Sequence, residues 1–274
     1  MKLGISMSFE YLPPEQWLQK HKELGLEAVI FPCTYKDPVS KIDEYVQICN
    51  ENDITIAEVG AWKNIISPNE KEKKENFAFC KGQLELAEYI EACCCVNIAG
   101  APGEVWNGAY KENYLQSTYD EIIQSVQDLI DSVKPKKTFY TLEPMPWMHP
   151  DSPEDYLKMI DDIDREAFAV HMDIINMISS PQKYLFNEQF TKDAFKMLGK
   201  KVKSCHIKDV KLEKPFTTNL KELACGEGGF NLENYIREID ALDKKMPVIV
   251  EHLHTEEEYV KALKYVVELY KQMQ

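Results

Sequence analysis

The sequence lacks any long apolar run. Its most hydrophobic stretches, such as the one around Val248 to Val250, fall far short of the roughly 20 residues that a membrane-spanning helix needs. The strand-like run at Leu3 is not preceded by the basic and apolar segments of a secretory leader. We therefore expect a cytoplasmic protein with no membrane partner.

Basic charge is scarce relative to acidic charge. The 274 residues contain 32 Lys and Arg against 46 Asp and Glu, which gives a formal net charge of -14. Nucleic-acid binding draws most of its affinity from clustered basic residues that neutralise phosphates. The charge balance therefore argues against DNA or RNA as a partner.

Cysteine pairs with metal-ligand spacing are missing as well. The chain has 8 cysteines, but none of them form a C-x-x-C pair. This pattern predicts neither a zinc ribbon nor a disulfide framework, and we expect reduced, mostly buried thiols.

A Gly-rich phosphate turn is absent after the first predicted strand, where the chain reads Ser6-Met7-Ser8-Phe9. A doubly wound nucleotide-binding sheet usually carries such a turn at this point. No linker rich in Gly or Ser interrupts the chain either. These absences favour one closed barrel over a doubly wound sheet and over two domains.

The sequence does contain a regular alternation of short apolar runs with longer segments of helical period, which is typical of βα units around a parallel sheet. We count eight such pairs and predict an α/β fold, a single-domain (β/α)8 TIM barrel over residues 1–274. The predicted strands lie near 3–6, 28–31, 54–59, 94–98, 139–143, 168–173, 202–208 and 248–251. The predicted helices lie near 14–24, 39–50, 69–90, 113–133, 153–160, 187–198, 232–242 and 256–272.

Candidate metal ligands stand at the ends of the last four predicted strands: Glu143, Asp173, His206 and Glu251. Functional groups of a (β/α)8 barrel gather at the C-terminal ends of its strands, so these side chains can converge on one point. Three carboxylates and an imidazole suit Mn2+, Mg2+ or Co2+ better than a thiolate-loving ion. Manganese is our first choice of cofactor, with Mg2+, Co2+ and Zn2+ as alternatives.

Each of these residues also has a purely structural interpretation. Glu143 or Glu251 alone could be a solvated strand end, and Asp173 could cap the turn through Asn176. His206 alone could be a hydrogen-bonded core histidine. Their occurrence in register at four consecutive strand ends favours the metal site.

Five short motifs follow one another in a fixed order: Leu142-Glu143-Pro144, His171-Met172-Asp173-Ile174-Ile175-Asn176, His206-Ile207-Lys208-Asp209, Gly226-Glu227-Gly228-Gly229-Phe230 and Val250-Glu251-His252. Together they resemble the xylose-isomerase-like barrel superfamily, the sugar phosphate isomerase/epimerase family, which includes ketose 3-epimerases, inosose isomerases and dehydratases, and AP endonucleases. The resemblance extends over nearly the whole chain.

The resemblance implies that the same four residues bind the metal and that Glu143 and Glu251 are the catalytic acid and base. One glutamate takes a proton from the carbon next to a carbonyl, and the other returns a proton to the opposite face. The metal polarises the carbonyl and stabilises the enediolate. We therefore predict a divalent-metal-dependent isomerase or epimerase of a small ketose, ketose phosphate or related polyol ketone, which could form a homodimer or homotetramer.

The chain departs from the epimerase pattern at two positions. Asn176 stands where many members carry a histidine, and Lys208 with Asp209 stands where ketose epimerases carry an arginine. Lys208 could bind a substrate carboxylate or phosphate, or it could pair with Asp209. Asn176 and Lys208 are therefore both candidates for substrate binding.

Other substrate-binding candidates lie near the predicted strand ends. Glu58 and Trp62 could contact sugar hydroxyls or could simply pack, and His149 could cover the substrate or belong to a stiff surface loop. Glu227 lies between glycines that let backbone approach a ligand, although loop flexibility explains them equally well.

Three other functions are alternatives, of which the AP endonuclease is disfavoured. A metal-dependent lyase, either an inosose dehydratase or a 3-oxo sugar acid decarboxylase, would use the same enolate chemistry. An AP endonuclease needs a basic groove and more histidine ligands than the 6 histidines here can supply. A non-catalytic sugar-binding barrel would bind metal and ligand without exchanging substrate hydrogens.

Overall fold

The computed structural model describes residues 1–214 and 217–273, and these contain ten strands. The strands are β1 Lys2–Ile5, β2 Ala28–Ile30, β3 Thr55–Gly60, β4 Cys94–Asn97, β5 Tyr140–Leu142, β6 Phe168–Met172, β7 Val202–Ile207, β8 Asp209–Leu212, β9 Leu220–Leu223 and β10 Pro247–Val250.

Eight of these strands form a parallel, nearly closed barrel in the order β1-β10-β7-β6-β5-β4-β3-β2. At the seam between β1 and β2, the Glu27 N–H donates to the Leu3 carbonyl at 2.8 Å. The predicted (β/α)8 TIM barrel and its eight strands are therefore confirmed.

Helices cover the barrel between the strands, as the sequence predicts. They are α1 Pro14–Leu24, α2 Val39–Glu51, α3 Glu70–Tyr89, α4 Gln116–Val133, α5 Pro153–Ile163, α6 Pro181–Leu185, α7 Asn187–Leu198, α8 Leu232–Leu242 and α9 Glu256–Gln272. Helix α5 starts where Ser152 accepts the Asp155 N–H, and α9 starts with a capping box between Thr255 and Glu258.

The structure differs from the predicted elements mainly in four places, one of which is the short helix α6, absent from the predicted set. A 3-10 turn, Lys111–Tyr114, precedes α4, so the α-helix begins later than predicted. Helix α5 extends to Ile163 because this residue buries its side chain in the core beside Met159. The antiparallel hairpin of β8 and β9 was not predicted at all.

The core consists of the barrel strands and the helix faces that pack on them, and most apolar strand residues are fully buried. The barrel interior near the strand ends is polar. Glu58 of β3, His171 of β6 and His206 of β7 contact one another there. Within the described ranges, no helix is long and apolar enough to cross a membrane.

Candidate metal centre

Glu143, Asp173, His206 and Glu251, the mouth cluster, meet at the C-terminal ends of β5, β6, β7 and β10. Parallel strands of one barrel all end at the same rim, which brings side chains from distant parts of the chain together. One ligand atom from each of the four lies within 4.8 Å of the others. The four residues are buried, between 0% and 4% exposed, so their charges are poorly screened by water.

The His206 ring is held tightly between the two glutamates. Its Nδ1 lies 2.6 Å from Glu251 Oε2 and 3.2 Å from Glu143 Oε1. Burial by itself lowers the pKa of this imidazole, but the carboxylates of Glu251, Glu58 and Glu143 raise it well above its ordinary value.

Asp173 is fixed by the turn that follows its strand. Its Oδ1 accepts the backbone N–H groups of Ile175 and Asn176, each at 3.1 Å. Its Oδ2 lies 2.7 Å from Lys208 Nζ. The turn interpretation of the sequence is therefore correct for one oxygen, while the other points to the mouth cluster.

Lys208 is buried among the carboxylates. Its Nζ lies 2.7 Å from Asp173 Oδ2, 2.5 Å from Glu251 Oε1 and 3.2 Å from Glu222 Oε2 of the β8–β9 hairpin. Burial lowers the pKa of this ammonium, but the carboxylates together raise it well above its ordinary value. Lys208 therefore does not pair with Asp209.

Asp209 has a structural role in the same region. Its carboxylate accepts the backbone N–H groups of Val210, Gly226, Gly228 and Phe230 at 2.8–3.1 Å. These bonds organise the Gly-rich loop that follows the hairpin.

The charges of the mouth cluster fit a divalent cation. Glu58 and the three carboxylates of the mouth cluster are buried against two cationic side chains, Lys208 and His206. Burial raises the pKa of the Asp173 carboxyl; Lys208 lowers it, and the charges of Glu251 and Glu143 raise it further. A divalent cation would offset this excess of buried negative charge. The oxygen-rich donor set with one imidazole matches the ligand preference of hard to borderline metal ions.

A pocket of about 400 Å³ opens above the mouth cluster. Glu143, His206 and Glu251 form its floor, and Phe31 and Trp62 contribute aromatic walls. Among the described residues that line it, none is Lys or Arg.

Of the predicted substrate-binding residues, Trp62 lines this pocket and Asn176 lies beside it. A Cβ on Gly60 would come within 2.3 Å of Trp62 Nε1, so that glycine makes room for the indole. Asn176 donates from Nδ2 to Glu143 Oε1 at 3.4 Å. Lys208 does not line the pocket, and its ammonium contacts the carboxylates of Asp173, Glu251 and Glu222.

The other predicted substrate contacts lie away from the pocket. Glu58 is fully buried below the mouth cluster, with its Oε2 at 3.2 Å from His206 Nε2. His149 pairs with Asp155 at 2.7 Å, and Glu227 pairs with Lys261 at 2.5 Å on the surface. Neither His149 nor Glu227 lines the pocket above the mouth cluster.

Glu222 and the pocket residues at the first two strand ends are not among the residues predicted from the sequence. Glu222 reaches Lys208 from a hairpin that had no clear strand pattern. Ser6 and Phe31 line the pocket, and their positions at the ends of predicted strands could have identified them as pocket residues.

Comparison with known proteins agrees with this architecture. The family model described as a xylose isomerase-like TIM barrel matches residues 18–269. The chain belongs to this family. No curated protein matches the chain significantly.

Solved structures share the fold of this xylose isomerase-like barrel at low sequence identity. A xylose isomerase-like TIM barrel protein from Mycobacterium smegmatis in complex with magnesium is 15% identical with a TM-score of 0.72, covering 99% of this chain and 97% of that one. The probable 3-DHS dehydratase AsbF from Bacillus anthracis is 14% identical with a TM-score of 0.73, covering 98% and 99%. D-psicose 3-epimerase from Clostridium cellulolyticum H10, solved with D-tagatose, is 13% identical with a TM-score of 0.71, covering 99% of both chains.

Proposed function

We propose that this barrel is a divalent-metal-dependent isomerase or epimerase of a small, uncharged ketose or related polyol ketone. The observation that carries the proposal is the mouth cluster itself, which joins three buried carboxylates and one imidazole at the floor of a sugar-sized pocket. We assign Glu143, Asp173, His206 and Glu251 as the metal ligands. The oxygen-rich donor set keeps Mn2+ as our first choice and Mg2+ as the second.

Glu143 and Glu251 are the proposed acid and base. They follow β5 and β10, which are three steps apart around the barrel, so they approach the pocket from different sides. One carboxylate takes the proton from the carbon next to the substrate carbonyl, and the other delivers a proton to the opposite face. When bound, a divalent cation supplies positive charge to the carbonyl oxygen and to the enediolate that develops.

The proposed substrate is uncharged because the imidazoles that line the pocket, His206 and His252, are already paired with carboxylates. None of its described lining residues is Lys or Arg, and Glu10, Glu143 and Glu251 add negative charge. Lys208 is already surrounded by three carboxylates. Phe31 and Trp62 instead provide apolar faces against which a sugar ring can pack.

The proposal is tested by turnover with matched substrates. Purified protein is stripped with EDTA, reloaded with Mn2+ or Mg2+, and assayed on ketohexoses and on their 1- and 6-phosphates. We expect activity only after reloading, with kcat/KM for the free sugar at least about tenfold above that for either phosphate, since an uncompensated charge next to carboxylates costs more than 1.4 kcal/mol. Activity that survives complete metal removal would refute the metal-dependent mechanism, and a preference for the phosphates would refute the uncharged substrate.

A lyase on the same residues is the second candidate. The same carboxylate can remove the proton that precedes loss of water, and one structural neighbour is described as a probable dehydratase. Product analysis distinguishes the two, because a dehydratase yields a conjugated product that absorbs ultraviolet light whereas an epimerase yields an isomer of unchanged mass.

A further inference from the structure

The two ring nitrogens of His206 face different carboxylates. Nδ1 lies toward the mouth cluster, 2.6 Å from Glu251 Oε2 and 3.2 Å from Glu143 Oε1. Nε2 lies toward the barrel interior, 3.2 Å from Glu58 Oε2. Glu58 is 0% exposed and does not line the pocket, so it has no access to a substrate.

Once a cation lies on the Nδ1 side, the position of Glu58 determines which nitrogen of neutral His206 carries the proton. A carboxylate can only accept a hydrogen bond, so Glu58 holds the proton on Nε2. The Nδ1 lone pair is then left to the cation, which also offsets the charges of Glu251 and Glu143 beside Nδ1. The opposite tautomer would direct the Nε2 lone pair at a buried negative charge.

A neighbouring histidine restrains the ring itself. His171 packs edge to face on His206, with ring centroids 4.1 Å apart and an interplanar angle of 86°. Its own Nδ1 is held 2.7 Å from Ser204 Oγ and lies 3.5 Å from Glu58 Oε1. The His206 ring therefore packs against His171 on one side, and the Glu58 carboxylate is the acceptor for its Nε2.

A purely structural explanation of Glu58 is unsatisfactory. Burying a carboxylate costs free energy unless it is paired, and Glu58 Oε1 has no hydrogen-bond partner among the described residues. The ion pair with His206 offsets part of the free-energy cost of burying this carboxylate.

We propose that Glu58 is a positioning residue that keeps the His206 proton on Nε2 and so presents Nδ1 to the divalent cation of the mouth cluster. His171 holds the ring in that orientation. This inference rests on the metal-binding part of the proposed function.

The first test measures metal affinity by calorimetric titration of Mn2+ into metal-free protein. Glu58→Leu removes the acceptor, Glu58→Gln retains one, and Thr141→Val is a matched control because Thr141 is also a buried polar residue of a barrel strand. We expect Glu58→Leu to weaken Mn2+ binding about 10- to 100-fold, Glu58→Gln to recover most of the loss, and Thr141→Val to bind as wild type. Wild-type affinity in Glu58→Leu would overturn the inference.

The second test needs no variant. In Mg2+-loaded wild-type protein, long-range 1H–15N correlation spectra identify the protonated nitrogen of each histidine ring. We expect the His206 proton on Nε2 and one divalent ion per chain; a proton on Nδ1, or a second ion that takes up Nε2, would overturn the inference.

These outcomes separate the inference from the proposed function. If wild-type protein binds Mn2+ and turns over substrate while Glu58→Leu does the same, only the role of Glu58 is wrong. If wild-type protein binds no divalent cation, both fail.

Discussion

Lys208 shows how far the role of a single charged residue depends on its surroundings. From the sequence it could recruit an anionic substrate or pair with Asp209. The folded chain instead places its ammonium among Asp173, Glu251 and Glu222. Its charge therefore stabilises the buried carboxylates of the site.

Replacing Lys208 with methionine removes that compensation. Breaking a buried ion pair by deleting one partner costs about 3–5 kcal/mol, because the remaining charge stays buried. We expect Lys208→Met to lower the free energy of unfolding of metal-free protein by about that amount in urea titrations. Lys261→Met, which deletes an exposed partner of Glu227, is the control and should cost less than about 1 kcal/mol.

A loss in Lys208→Met no larger than in Lys261→Met would contradict this account. Added Mn2+ should reduce the penalty in Lys208→Met, since a bound cation would replace part of the missing positive charge near Asp173 and Glu251.

The individual residues also show what a sequence can predict about a site. The convergence of Glu143, Asp173, His206 and Glu251 was predictable, because each follows or ends a strand of a parallel barrel. The contacts of Glu58 were not, because its hydrogen bond to His206 joins residues 148 positions apart and depends on which way the strand faces. Glu227 lies between glycines in sequence, yet it points to Lys261 on the surface.

At the scale of elements, tyrosines of the outer helices hydrogen-bond to the strands that carry the mouth cluster. The Tyr235 hydroxyl of α8 lies 2.9 Å from the carbonyls of both Met172 and His206, at the ends of β6 and β7. The Tyr156 hydroxyl of α5 bonds the Leu142 carbonyl of β5 at 2.7 Å and the Ala169 carbonyl of β6 at 3.0 Å.

Removing the Tyr235 hydroxyl should loosen the register between β6 and β7. We expect Tyr235→Phe to lower the free energy of unfolding by about 1–3 kcal/mol, because two buried carbonyls lose their shared donor, and to weaken Mn2+ binding. Tyr259→Phe is the matched control, since its hydroxyl bonds Ser6, just after β1, a strand that supplies no ligand. Equal effects of both substitutions on Mn2+ affinity, measured by calorimetry, would contradict the proposed role of α8.

The β8–β9 hairpin could not be predicted from the periodicity of the sequence. Its strands have four residues each and include charged residues such as Lys211 and Lys221, so no apolar periodicity signals them. The hairpin nevertheless brings Glu222 to Lys208 and His252. The sequence therefore predicts the residues of the mouth cluster better than the hairpin residues that contact Lys208 and His252.

At the scale of the whole molecule, the barrel was predictable because every barrel strand is a short apolar run and a helix separates it from the next barrel strand. No Gly-rich turn supported an open sheet. The order of strands follows from this alternation, since consecutive βα units lie side by side. The family match over residues 18–269 agrees with one barrel.

Metal binding should stabilise the whole barrel, since the mouth cluster joins four of its strands. At a cation concentration 100 times Kd, binding adds about 2.7 kcal/mol to the free energy of unfolding. For a chain of this size that corresponds to a rise in Tm of roughly 5–10 °C. We expect EDTA to lower Tm by that amount in wild-type protein and to leave Asp173→Asn unchanged in a thermal unfolding assay. An identical Tm with EDTA and with excess Mn2+ would contradict the metal centre.

The central claim is that the mouth cluster carries out metal-dependent proton transfer next to a carbonyl. Proton NMR in deuterated water tests it most directly, with Mg2+-loaded protein, a panel of ketoses, inososes and their phosphates, and Glu251→Gln with Glu227→Gln as its surface control. We predict that deuterium enters a carbon next to the carbonyl of an uncharged substrate with wild type and Glu227→Gln, and that Glu251→Gln slows this exchange at least about 100-fold. Exchange at the wild-type rate in Glu251→Gln, or in EDTA-treated wild type, would contradict the account.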